Sequence, residues 1–227
     1  MAAASLAILK LDTCFPRLPG DIASESSYAK PVRIHTIPEA SVDAVVTQKP
    51  ASFDLSQFEQ AVQSASEPLI TTSCGFMIYF QDQLSRQTRH QFVSSSLTAL
   101  PALRMRFSDQ DILILTFDAH TLAAPAYVPS LGGFSGPIEG LDKTGHLYQT
   151  IKQDRPNMDE GLVRTELRTQ TAQILAKHKS VKAIILECTN LTPYKDEIRA
   201  EFDGELIDTL SILDSLSPGL VRQEFLI

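Results

Sequence analysis

DEGLVRTELRTQTAQILAKHKSVKAIILECTNL, residues 159–191, is the stretch that decides the fold: an amphipathic segment of helix length runs straight into a short apolar run that ends on a cysteine. Val163, Leu167, Ile174 and Leu175 fall near one face, which predicts a helix from about Asp159 to His178, with Asn157 as N-cap and Glu160 three residues on. Val181 to Glu187 follows without a polar alternation, the pattern of a strand buried on both faces. Similar runs occur at Leu6 to Leu11, Val32 to Ile37, Leu69 to Ser73 and Ile112 to Phe117. Strands alternating with helices of this length predict an α/β protein built on parallel sheet.

Two stretches read as loops. Phe117 to Gly145 is rich in Ala, Pro and Gly, including Leu131-Gly132-Gly133-Phe134-Ser135-Gly136-Pro137, and lacks sustained periodicity. Thr13 to Lys30 follows the first strand, where α/β proteins place ligand-binding loops. The apolar start from Ala2 to Leu11 carries Lys10 and no basic leader, so it reads as a buried first strand and not a secretory segment.

Setting Cys74 on Cys188 aligns Cys74-Gly-Phe-Met-Ile-Tyr-Phe-Gln-Asp-Gln-Leu84 with Cys188-Thr-Asn-Leu-Thr-Pro-Tyr-Lys-Asp-Glu-Ile198. Asp82 meets Asp196, Phe80 meets Tyr194, and Leu84 meets Ile198. Each cysteine ends an apolar strand and opens a helix, so the chain holds two copies of one strand–Cys–helix unit.

With 43% hydrophobic and 21% charged residues the composition is that of a globular protein, and no apolar stretch approaches a membrane span. A net charge of -7 without a basic block excludes a nucleic-acid footprint and disfavours acidic membrane. The 3 cysteines are widely spaced, unlike a disulfide framework or paired zinc ligands, which predicts a reducing, cytoplasmic setting. The 5 histidines form no HExxH, so no metal site is expected. Gly140 to Gly145 has P-loop spacing, but His146-Leu147 replaces the required Lys-Ser/Thr, and no GxSxG or strand-linked GxGxxG occurs.

A residue between a parallel strand and the next helix sits in the crevice where open α/β sheets bind ligands. The free N–H groups there attract a carboxylate and lower a thiol's pKa. Two such units would set thiols on opposite faces of a bound acid, one as thiolate base and one as thiol acid, a geometry suited to stereoinversion. The competing reading is that free cysteine is often a small core hydrophobe. The polar or small neighbours Ser73, Gly75, Glu187, Thr189 and Asn190 weigh against it.

Leu11-Asp12-Thr13, Pro19-Gly20-Asp21, Thr71-Thr72-Ser73-Cys74-Gly75-Phe76 and Leu186-Glu187-Cys188-Thr189-Asn190-Leu191 together resemble the aspartate/glutamate/hydantoin racemase superfamily. The resemblance implies two pseudo-symmetric α/β subdomains, each a parallel sheet flanked by helices, with the active site in the cleft between them. The first would comprise residues 1–97 completed by 208–227, the second 98–207. It further implies a cofactor-independent racemase or epimerase, without metal or pyridoxal phosphate, in which Cys74 and Cys188 are the catalytic bases. Gly75, Phe76, Thr189 and Asn190 would bind the substrate carboxylate, and Asp12 and Thr13 would reach the cleft. The substrate would be a small carboxylate, such as aspartate or glutamate, or a hydantoin; dimers are common in the superfamily. Amino-acid racemases tend to carry Asn-Thr after the first cysteine and Thr-Glu or Thr-His after the second, where this chain has Gly75-Phe76 and Thr189-Asn190. Both cysteines are also kept by isomerases, so a cis-trans isomerase of an unsaturated diacid or a thiol-dependent lyase is the alternative, followed by a non-catalytic small-acid binder.

Beyond the cysteines, Arg17 could clamp a distal carboxylate with its bidentate fork. Ser94-Ser95-Ser96 offers hydroxyls, with Ser95 as the contributor, although serine clusters are commonly caps and turns. Glu187 could orient a neighbour or be a solvated strand end, and Cys14 is expected to be incidental.

Overall fold

The computed structural model describes residues 4–226. Eight strands form two sheets: β1 (Leu6–Leu11), β2 (Val32–Ile37), β3 (Leu69–Thr72) and β4 (Gln91–Val93) in the order β2-β1-β3-β4, then β5 (Ile112–Thr116), β6 (Ile138–Gly140), β7 (Ala183–Leu186) and β8 (Glu205–Ile207) in the order β6-β5-β7-β8. Every pairing is parallel, and the second sheet repeats the order of the first. The interior strands β3, β5 and β7 are buried at every residue because helices cover both faces, which is why they read as mostly apolar runs without alternation. The edge strand β2 alternates instead, with Arg33 and His35 turned to solvent.

The duplicated unit is present residue for residue. After β3, Cys74 precedes a 3₁₀ segment Gly75–Phe80 that tightens into helix Gln81–Ser85; after β7, Cys188 precedes Thr189–Tyr194 and helix Lys195–Arg199. Leu84 and Ile198, paired by the alignment, are both fully buried beneath these turns.

The long helix spans Glu160–Lys177, and its N-cap is Asp159, not Asn157: the Asp159 carboxylate accepts from the Leu162 N–H at 3.0 Å. The region expected to be loop, Phe117 to Gly145, holds helix Ala119–Leu122 and strand β6, with Gly132 and Gly133 supplying left-handed turn conformations. The predicted first strand is present as β1; Ala2 and Ala3 lie outside the described residues.

One apolar cluster runs from the first sheet to the second and includes both Cys74 and Cys188. A second gathers Leu6, Ile8, Leu69 and Val93 with Leu210 and Leu213 of the helix Thr209–Leu216, so this late helix packs on the first sheet. Among the described residues no helix is long and apolar enough to cross a membrane.

Candidate active site

In each sheet the strand that precedes a cysteine lies beside the sheet's first strand, β3 beside β1 and β7 beside β5. Their carboxyl ends are the topological switch points where open α/β sheets bind ligands. A narrow pocket of about 30 Å³, space for one or two waters, opens there. Leu11 lines it from the end of β1, Ser73, Cys74, Gly75 and Phe76 from beyond β3, Phe117 from beyond β5, and Glu187, Cys188, Thr189 and Asn190 from beyond β7. The loop after β1 adds Phe15 and Arg17.

The halves are stitched together beside the thiols. Thr189 Oγ1 donates to the Ser73 carbonyl at 2.9 Å, Ser96 Oγ donates to the Leu186 carbonyl at 2.8 Å, and Asn190 Nδ2 donates to Asp21 at 2.9 Å. Asp154, on the second half, accepts from the Cys14 and Phe15 N–H groups at 2.6 and 3.0 Å, which fixes the start of the Arg17 loop.

Arg17 lines the pocket from the loop after β1. Its side chain is 11% exposed and pairs with the buried Asp21 at 3.3 Å, and it donates to Thr13 Oγ1 at 3.1 Å. Its guanidinium also lies over the Phe15 ring, 4.3 Å from the centroid. The Nε–H is buried and has no partner. A desolvated, unsatisfied guanidinium N–H is costly to keep, and an anion entering the pocket would relieve that cost.

Burial pushes both thiols toward the protonated form. Cys74 is 9% exposed and Cys188 6%. Burial, reinforced by the neighbouring Glu187 carboxylate, pushes Cys74 up to about 12 and Cys188 well above its ordinary range. The expectation that helix amino ends would lower the thiols is thus reversed. The Phe76 and Asn190 N–H groups do favour the thiolates, but removal from water outweighs them.

Glu187 is the residue sequence reasoning undervalued. It is fully buried, and one carboxylate oxygen accepts from Thr116 Oγ1 at 2.5 Å while Oε1 has no partner. Burial raises it to about 7, against the downward pull of the Thr116 and Phe117 hydrogen bonds. Gly75 makes room for it: a Cβ there would meet Oε1 at 2.3 Å and the Glu187 carbonyl at 2.4 Å.

Three expected site residues stand elsewhere. Asp12 is exposed where β1 ends, and its carboxylate accepts from the Glu39 N–H. Thr13 serves Arg17 and its own turn through bonds to Arg17 and the Leu11 carbonyl. Ser95 is buried as an N-cap, accepting from the Leu97 N–H at 3.2 Å. Cys14 is exposed. Among the described residues no three His, Cys, Asp or Glu side chains are grouped as metal ligands.

No family model matches the chain. It is 26% identical to a dimethylsulfoniopropionate lyase from Durusdinium sp. clade D, over 96% of this chain and 75% of that protein. It is 25% identical to dimethylsulfoniopropionate lyase 3 of Emiliania huxleyi, over 96% of this chain and 60% of the longer relative. Among solved structures, allantoin racemase from Klebsiella pneumoniae superposes with a TM-score of 0.63 at 12% identity, covering 99% of this chain and 94% of that one. Glutamate racemase from Bacillus anthracis gives 0.58 at 12% identity, covering 96% and 84%. These likenesses support an enzyme. The expected racemase or epimerase activity, with its isomerase and small-acid-binder alternatives, is overturned by the lyase relatives, which align over nearly the whole chain. What the solved structures establish is architecture: the chain has the two-sheet α/β fold of the aspartate/glutamate/hydantoin racemase superfamily.

Proposed function

We propose that the chain is a carbon–sulfur lyase that splits dimethylsulfoniopropionate, or a closely similar sulfonio acid, into dimethyl sulfide and acrylate. The observation that carries this reading is the content of one pocket: two thiols, a carboxylate-seeking Arg17 Nε–H and the rings of Phe76 and Phe117, in a chain related to lyases of that name. The substrate's carboxylate pairs with Arg17, and its sulfonium lies against aromatic faces, which attract a cation without hydrating it.

A cysteine thiolate removes the proton α to the carboxylate, the electron pair forms the carbon–carbon double bond, and the carbon–sulfur bond breaks toward sulfur. Dimethyl sulfide departs neutral and needs no acid. One base therefore suffices, whereas stereoinversion needs two, so the thiols have unequal tasks. Negative charge that develops at the carboxylate is met by Arg17, while the Phe76 and Asn190 N–H groups favour the thiolates.

The test is dimethyl sulfide release measured by gas chromatography, with acrylate followed by NMR. Cys74→Ala and Cys188→Ala are each expected to fold, and the variant that lacks the base should lose about 10²- to 10⁴-fold in kcat. No dimethyl sulfide above the uncatalysed rate from the wild-type chain, or undiminished release by both variants, would sink the proposal.

A further inference from the structure

We propose that Glu187 is the proton store of this pocket, a positioning residue whose unpartnered Oε1 takes the proton of a neighbouring thiol so that a thiolate can form away from solvent. The inference rests on the lyase reading for its kinetic part only. Glu187 is fully buried, lines the same pocket as Cys74 and Cys188, and keeps one oxygen without a hydrogen bond. A carboxyl in such a place is expensive to maintain unless it works. Its other oxygen is held by Thr116 Oγ1, and the Phe117 N–H also favours the carboxylate. Gly75 lacks the Cβ that would meet Oε1 at 2.3 Å, so the oxygen fits beside the residue that follows Cys74.

The ionisable groups around it are few. Cys74 faces it from beyond β3, Cys188 from beyond β7 and Tyr127 from the turn at Pro125–Tyr127, and Arg17 lies in the same pocket on the loop after β1. Tyr127, raised by burial, stays protonated. With both thiols also pushed up, Glu187 is the group among these whose proton is exchangeable near neutral pH.

The proton count closes. Starting from a Glu187 carboxylate and two thiols, transfer of one thiol proton to Oε1 gives a carboxylic acid and a thiolate. The thiolate takes the substrate's α-proton as dimethyl sulfide leaves, which restores the thiol. The Glu187 acid then yields its proton to solvent when acrylate departs, and that is the one proton the elimination releases. Transfer also removes the negative charge that opposed the thiolate, so the two titrations are coupled.

The experiment compares wild type with Glu187→Gln, an isostere that can keep the Thr116 hydrogen bond but cannot store a proton. In the first arm, alkylation of Cys74 and Cys188 by iodoacetamide is followed by mass spectrometry from pH 5 to 10. The wild type should show a rise near pH 7, a plateau and a second rise, and E187Q a single rise at higher pH; identical profiles overturn the proposal. This arm needs no turnover, so its outcome stands even if the lyase reading fails. In the second arm, E187Q should lose at least about 100-fold in kcat with KM within about threefold, together with the acid limb of the pH–rate profile. A kcat within about threefold of wild type, with that limb intact, overturns it as well.

Discussion

Replacing Glu187 by Gln should make the protein more stable at neutral and alkaline pH while leaving it unchanged in acid. Glu187 ionises near its ordinary value of 4.5 when the chain is unfolded, but burial raises it to about 7 in the folded state. Between those two values the folded state holds a proton that the unfolded state has lost, so wild-type stability falls as pH rises through that window. The gap from 4.5 to about 7, at about 1.4 kcal/mol per tenfold, amounts to roughly 3 kcal/mol above pH 8. The group is fully buried, so solvent does not screen this cost away. E187Q carries no such term, and titrating groups away from this pocket contribute equally to both proteins. Urea unfolding at intervals from pH 4 to 9 should give curves of ΔG that coincide near pH 4 and diverge to roughly 3 kcal/mol at pH 8 to 9, or about 6 to 12 °C in Tm. Parallel curves across this range would refute the reasoning, because they would mean that Glu187 is solvated or paired in the folded protein.

Arg17→Gln should raise KM for a sulfonio acid at least about tenfold and cost about 3 kcal/mol or more of stability, because Asp21 is left buried without its cation; Arg17→Gln with Asp21→Asn should recover the stability but not KM, which unfolding curves beside steady-state kinetics would show. Gly75→Ala drives a Cβ into Glu187 Oε1, so a loss of about 1 to 3 kcal/mol in thermal unfolding is expected, together with a displaced rise in the thiol-alkylation profile. Lys195→Met strands the buried Asp208, whose carboxylate it meets at 2.7 Å, and should cost about 3 to 5 kcal/mol by denaturant titration. Met105→Ser, at a side chain 86% exposed, should stay within about 0.5 kcal/mol by the same measurement.

The interior strands were legible because residues covered on both faces are mostly apolar, as Ile184, Ile185 and Leu186 are. Those not anticipated, β4, β6 and β8, have three residues each and lie at sheet edges, and β6 and β8 are only half-buried. Three residues carry too little periodicity to be told from loop. The cysteine pair and Arg17 were readable from type and position, and the structure brings them to one pocket. Asp12 and Ser95 do not line the pocket, for a directional reason. Nearness in sequence does not tell whether a side chain turns into the cleft, to solvent or back to a helix amino end. The weight of Glu187 depends on an oxygen that nothing meets, which only coordinates reveal. One signal pointed toward it: Gly75 stands where the second copy has Thr189, and a glycine at one of two matched positions marks close approach of another group.

The ties between the Arg17 loop and the second half have a consequence for the speed of capture. Asp154 holds the Cys14 and Phe15 N–H groups while Asp21 holds Asn190, and the space behind them is about 30 Å³. A ligand several times larger than water exceeds that space, so its entry would have to move the side chains or the loop that these contacts hold. Capture then has two stages, encounter at the surface and admission, and the second-order rate constant is the encounter rate scaled by the fraction of molecules that stand open. Selectivity would act at that threshold as well as at the chemistry, since an anion that draws Arg17 away from Asp21 also loosens the loop that bars its own way.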